Sequence, residues 1–301
     1  VGSEMCIRDS RFFAHRMLNV EEQRQPDAGM DVLQRGSVFH EILETVYARL
    51  AADGVTLTAD NLDTALAILD AEAPPILAVA PLRHGFRPTP TWANERTVIV
   101  RQIRALIQAD FTTTTTPSAS ALGAQRRVES VERAFNVMIP IIDANGTFGD
   151  GTLQVRGVID RIDTANGQHF ILDYKTGTTK IPLKLTARGR NVQMAVYWLA
   201  ARALGLNAVG GAFWHIGSRD FSGEIADNTE SNEALEGARR RLTRMVSAAA
   251  RGDFAAEPNG REDGQCAKHC DYAQLCRIAV RERRARPTAN DANEGHDANM
   301  E

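Results

Sequence analysis

Two aspartates and a lysine interrupt apolar runs in the middle of the chain. Asp160 lies in Gly157-Val158-Ile159-Asp160-Arg161-Ile162-Asp163, and Asp173 and Lys175 lie in Phe170-Ile171-Leu172-Asp173-Tyr174-Lys175-Thr176-Gly177. An unpaired charge among apolar residues is costly, so acids in such places call for a partner. Two carboxylates held together repel and raise each other's pKa unless a cation sits between them, and oxygen ligands of this kind suit Mg²⁺ or Mn²⁺. A lysine beside them could polarise a phosphate, orient a water, or help lower that water's pKa for attack on phosphorus. Asp-x-Lys alone describes a surface ion pair equally well; both acids interrupting apolar strands is the more specific signal.

The elements that must position these groups are two strands. Apolar and polar residues alternate through residues 152–163, a second apolar run ends at Asp173, and Thr164-Ala165-Asn166-Gly167 between them supplies turn chemistry, so the stretch reads as a β-hairpin. On adjacent antiparallel strands Asp160 and Asp173 can face the same side, with Lys175 two residues on and on the face of Asp173.

Gly157-x-x-Asp160-Arg161-x-Asp163 followed by Leu172-Asp173-Tyr174-Lys175-Thr176-Gly177 resembles the active-site core of the PD-(D/E)XK nuclease superfamily. The resemblance is greatest to the RecB-type nuclease domain at the C-terminal end of bacterial RecB and AddB recombination proteins. It implies an α/β fold, with a mixed central sheet flanked by helices in a restriction-endonuclease-like core and a helical insertion over about residues 55–120. Further segments extend the resemblance over most of residues 11–278.

One such segment is Arg35-Gly36-Ser37-Val38-Phe39-His40-Glu41-Ile42-Leu43-Glu44, which opens a helix with Ser37 as N-cap and places His40 and Glu44 one turn apart on one face. It resembles the Gly-x-x-x-His-x-x-Leu-Glu motif of these nucleases, whose histidine ligates metal. The resemblance thus implies a metal held by His40, Asp160, Asp173 and the Tyr174 carbonyl, with Lys175 assisting the attacking water. An imidazole among carboxylates biases such a site toward Mn²⁺ without excluding Mg²⁺. Gln193-Met194-Ala195-Val196-Tyr197 resembles the Gln-x-x-x-Tyr motif beside the active site; on spacing alone, Gln193 and Tyr197 simply share a half-buried helix face.

Three of the four cysteines cluster near the C-terminus as Cys266-x-x-x-Cys270 and Cys276, a ligand pattern rather than a disulfide framework. Three thiolates do not close a tetrahedral site, so a fourth ligand must come from elsewhere. The resemblance implies a [4Fe-4S] cluster joining a cysteine ahead of the opening helix to three near the C-terminus. The spacing between Cys266 and Cys270 is one residue longer than usual in the family, and zinc with His269 is the chemical alternative. The upstream cysteine would fall near Arg8, within residues 1–10, which resemble a translated sequencing-adaptor remnant and are expected to be non-native, Cys6 included.

Composition is that of a globular chain, 43% hydrophobic and 24% charged over 301 residues. A formal charge of −3 argues against a generally basic nucleic-acid coat while leaving local positive grooves open. No apolar run of membrane-span length and no secretory leader is read, so a cytoplasmic protein without membrane contact is expected. Residues 58–111 read as helical with breaks at Pro74-Pro75 and at residues 88–90, residues 112–118 as a loop, residues 127–140 as a strand, residues 191–204 as a helix, residues 207–217 as a strand, and residues 230–251 as a basic amphipathic helix. Residues 283–301 read as a disordered tail.

The expectation is a metal-dependent deoxyribonuclease domain, residues 11–282, that processes DNA ends in double-strand break repair within a longer helicase-nuclease assembly with a partner subunit. A catalytically weak DNA- or helicase-binding module is the alternative from another class. CRISPR-associated or eukaryotic-type helicase-nucleases share the motifs.

Overall fold

In a computed structural model of the chain, Asn166 and Gly167 both take positive φ, 52° and 74°, between paired Ala165 and Gln168. That is the two-residue turn whose twist matches the strands it joins, and it makes β2 (Thr152–Ala165) and β3 (Gln168–Lys175) a hairpin. The structure describes residues 17–18, 29–141 and 151–253. Residues 1–16, all four cysteines and the tail lie outside the described residues. The chain divides into two compact units; one of them includes Arg24–Ser247 and contains the whole sheet and the site described below.

The hairpin is the middle of a five-stranded mixed sheet. β1 (Arg127–Pro140) pairs antiparallel with β2, β3 pairs parallel with β4 (Ala208–His215), and β4 pairs antiparallel with β5 (Phe221–Ala226). The parallel step requires a crossover, and α5 (Leu183–Ala187) and α6 (Gln193–Ala203) provide it. β3 and β4 are buried on both faces and accordingly read as near-continuous apolar runs.

A helical layer covers one face. α1 (Val32–Ala52) buries Val38, Phe39, Ile42, Leu43, Val46, Tyr47 and Leu50, a stripe at helical spacing, in the core shared with Leu172, Tyr174, Ala212 and Trp214. Its N-cap is Asp31, in a reciprocal capping box with Gln34, rather than Ser37. Ser37 lies inside the first turns and bonds the Leu33 carbonyl.

α2 (Leu62–His84), α3 (Trp92–Thr112) and the short α4 (Pro117–Leu122) follow α1 and precede β1. Pro74 and Pro75 do not break α2, which runs through them and through Pro81 and ends at a left-handed Gly85. Burial of Leu69, Ala73, Ile76, Leu77 and Ala80 holds the helix together where propensity alone would stop it. By length and composition α2 is also apolar enough to cross a membrane, a stretch the sequence reading passed over; here one face packs in the core. Nor are residues 112–118 wholly loop: Thr116 caps α4, which starts at Pro117. On the other face α6 packs Met194 toward β4, and α7 (Thr229–Ala250) completes the described fold.

Candidate active site

The β2–β3 ladder ends at the pair Arg161 and Leu172. Just beyond, the Asp160 carboxylate accepts the Tyr174 amide N–H at 2.8 Å. Strand alternation turns Asp173 and Lys175 to the same face, where Lys175 Nζ lies 2.6 Å from Asp173 Oδ2. From α6, the Gln193 amide binds both: its Nε2 donates to Asp173 Oδ1 at 2.7 Å and to Tyr197 Oη at 2.9 Å, and its Oε1 accepts from Lys175 Nζ at 2.9 Å. With carbonyl and both N–H groups engaged, Gln193 fixes the positions of an acid and an ammonium at once.

His40 approaches from the helical layer. Its Nε2 is 3.2 Å from the Tyr174 carbonyl and its Nδ1 is 3.5 Å from Asp160 Oδ2. A carbonyl only accepts, so Nε2 carries the proton and Nδ1 presents its lone pair toward Asp160. Burial lowers the His40 pKa, outweighing the pull of Asp173 and the Tyr174 carbonyl in the other direction, with Lys175 lowering it further. The ring is thereby kept neutral, the form that ligates metal.

Glu132 on β1 completes the acidic wall, and sequence reasoning missed it. It has a left-handed φ of 44°, and β1 pairs with β2 on both sides of it, Val131 with Arg161 and Arg133 with Ile159. That register sets it across from Asp160. One ligand atom from each of His40, Glu132 and Asp160 falls within 4.8 Å of the others. Burial, then Glu44 and Asp173, push the Glu132 pKa up. Burial and then Asp173 push Asp160 well above the usual carboxylate range, despite the Tyr174 N–H bond. A strand pattern cannot show Glu132 there, because its place depends on the β1–β2 register and on a backbone conformation uncommon for glutamate.

These groups fit a divalent cation. Asp173 Oδ2 is buried, and its partner among the described residues is the Lys175 ammonium at 2.6 Å. One lysine stands against Asp160, Asp173 and Glu132, so the set is short of positive charge. Carboxylate oxygens with one imidazole form a donor set suited to Mg²⁺ or Mn²⁺.

Behind the site lies a second arrangement that the sequence reading did not anticipate, on the opposite face of β2. Arg161 donates to Asp163 through Nε at 2.6 Å and through Nη2 at 2.9 Å, to Asp110 at 2.7 Å, and to the Tyr174 phenol at 3.0 Å. Arg126 bridges Asp110 and Asp163, Ser118 donates to Asp163, and Tyr47 donates to Asp110. All four charged residues are essentially inaccessible to solvent. Burial alone would raise the Asp110 pKa, but Arg126 and Arg161 outweigh it and hold it at about 2. Charges at Arg161 and Asp163 within an apolar run were the available signal; their partners, 37 to 51 residues earlier in the bonds Arg126–Asp163 and Asp110–Arg161, were not legible.

His40, Asp160, Asp173, Tyr174, Lys175 and Gln193 all line one cleft of about 430 Å³, together with Glu41, Glu44 and Glu132, and Tyr197 adjoins it through Gln193. Cys266, Cys270 and Cys276 lie outside the described residues.

Comparison with known proteins agrees with this geometry. A family model described as the PD-(D/E)XK nuclease superfamily matches residues 9–277. An ATP-dependent helicase/deoxyribonuclease subunit from Leuconostoc citreum (strain KM20) is 32% identical over 87 residues, which is 25% of this chain and 7% of that protein.

Proposed function

This chain belongs to the PD-(D/E)XK nuclease superfamily, and on that premise we propose that it is a divalent-metal-dependent deoxyribonuclease domain hydrolysing phosphodiester bonds in DNA. The observation that carries the proposal is the convergence of His40, Asp160, Asp173 and Lys175 on one cleft in which a single lysine faces the carboxylates of Asp160, Asp173 and Glu132.

In this reading His40, Asp160, Asp173 and the Tyr174 carbonyl hold Mg²⁺ or Mn²⁺, with Glu132 beside them. A cation held there would supply charge against the phosphate and acidify a bound water. Lys175, steadied by Gln193 and Asp173, donates a hydrogen bond to the attacking water or to a phosphate oxygen as negative charge builds there. Water oxygen bonds to phosphorus, one phosphorus–oxygen ester bond breaks, one proton of the water ends on the leaving oxygen as a hydroxyl, and the other stays with the phosphate product or passes to solvent. Tyr197 holds Gln193 in turn.

Similarity to a helicase/deoxyribonuclease component supports, as part of the proposal, a place in a helicase-nuclease assembly with a partner subunit acting on DNA ends in break repair. The proposal also includes a [4Fe-4S] cluster on Cys266, Cys270 and Cys276 completed by a native cysteine where Arg8 now stands, which iron and sulfide analysis of the anaerobically purified Arg8→Cys variant tests. For the main reading, linear DNA is incubated with Mg²⁺, with Mn²⁺ and with chelator, using the parent, Asp173→Asn and Lys175→Ala. Cation-dependent digestion by the parent alone is expected; equal residual digestion in all three proteins rejects the reading.

A further inference from the structure

Two stretches of the chain carry cations and no acids. Residues 174–192 contain Lys175, Lys180, Lys184, Arg188 and Arg190, and residues 237–250 contain Arg239, Arg240, Arg241 and Arg244, with no Asp or Glu in either. The fold presses them together. Gly189, at φ 64°, lies against the Arg241 side chain, and Gly237 lies against the Ala187 carbonyl; a Cβ at either glycine would collide. With no side chain between them, the end of α5 and the residues just after it touch α7 at these two points, which brings the two basic stretches side by side.

Some of these cations have other duties: Lys180 pairs with Asp220, and Arg239 pairs with Glu236 and bonds the Pro140 carbonyl. Lys184, Arg188, Arg190 and Arg244 are exposed, and among the described residues no carboxylate is paired with them. Arg190 adjoins the buried Asn191, whose side chain accepts the Gln193 N–H, so the surface begins beside the residue that holds Asp173 and Lys175.

We propose that this seam is a phosphate track that holds the backbone of the DNA strand whose scissile phosphate occupies the cleft. The proposal rests on the nuclease reading above. The cleft itself carries Glu41, Glu44, Glu132, Asp160 and Asp173, which repel a polyanion. Cations beside it are needed to bring the strand in, and a chain of net charge −3 can still present such a local field. Exposed Lys and Arg on backbone-fixed segments contact phosphates without regard to base identity.

The test measures binding of a fluorescent single-stranded oligonucleotide to the full chain by anisotropy, in chelator, across a salt series. The triple variant Lys184→Ala/Arg188→Ala/Arg190→Ala is expected to bind at least about tenfold more weakly. Its log–log salt slope should be shallower by about 2, at roughly 0.7 per lost single-strand phosphate contact. Arg244→Glu, across the seam, is expected to weaken binding independently, and unchanged thermal unfolding of these surface variants shows the fold intact. Parent-like affinity and slope in both variants overturns the track, as does a parent that binds no oligonucleotide at low salt. A parent that binds through the seam but never cleaves defeats the nuclease reading and leaves the track standing.

Discussion

The Tyr174 amide donates to the Asp160 carboxylate at 2.8 Å, across the point where the β2–β3 ladder stops. The same residue offers its carbonyl to His40 and its phenol to Arg161. One residue thus ties the acidic cleft on one face of the hairpin to the buried ion cluster on the other, and the consequences can be separated by mutation.

Tyr174→Phe removes only the phenol's bond with Arg161 and is expected to cost about 1 kcal/mol of stability. Arg161→Met leaves Asp110 and Asp163 with Arg126 alone in a water-free interior and is expected to cost about 3–5 kcal/mol. Urea unfolding of the two variants checks the contrast. Because Asp110 is held at about 2, below its usual 3.8, its contribution is present above pH 3.8 and is lost as pH falls toward 2. Acid unfolding of the parent should include that step.

Lys175→Ala is expected to lower cleavage by about 10²–10³-fold, the usual cost of deleting a preorganised donor to developing charge. It should leave Mn²⁺ binding intact or improved, since a cation is removed beside Asp173. Asp173→Asn should lose both. Calorimetric Mn²⁺ titration alongside the cleavage assay distinguishes the two roles.

Stability without divalent cation should depend on pH through Asp160. Its folded pKa lies well above 3.8, so the folded state holds a proton that the unfolded chain gives up. Stability therefore falls as pH rises from 3.8 through the raised value. Asp160→Asn should flatten that decline and melt higher than the parent at neutral pH in chelator. A steeper decline in the variant, read by thermal unfolding across pH, contradicts the assignment.

Glu132→Gly relieves a left-handed backbone that costs an ordinary residue roughly 1–2 kcal/mol. It also removes repulsion with Glu44 and Asp173. Against glycine's entropic penalty of roughly 0.5–1 kcal/mol, a net gain of about 1 kcal/mol is expected in chelator. The stabilisation that Mn²⁺ confers should shrink in the same variant. Melting curves with and without Mn²⁺ measure both effects.

What the sequence determined by itself was local. Period-two alternation, Asn166-Gly167 and the spacing of Asp160, Asp173 and Lys175 specify a hairpin with those three charges on one face, because side-chain direction along a strand follows from chain geometry alone. Helical spacing likewise set His40 on α1 and Gln193 over Tyr197 on α6, and the motifs pointed to the family. Only the tertiary structure decided the rest. Glu132 reaches the cleft through strand register and a strained backbone, and Arg161 and Asp163 find Asp110 and Arg126 across 51 and 37 residues of chain. α2 passes through Pro74 and Pro75 because its neighbours bury it. Register, long-range charge pairing and burial against other elements are energies of contact between distant segments, and no short window of sequence contains both partners.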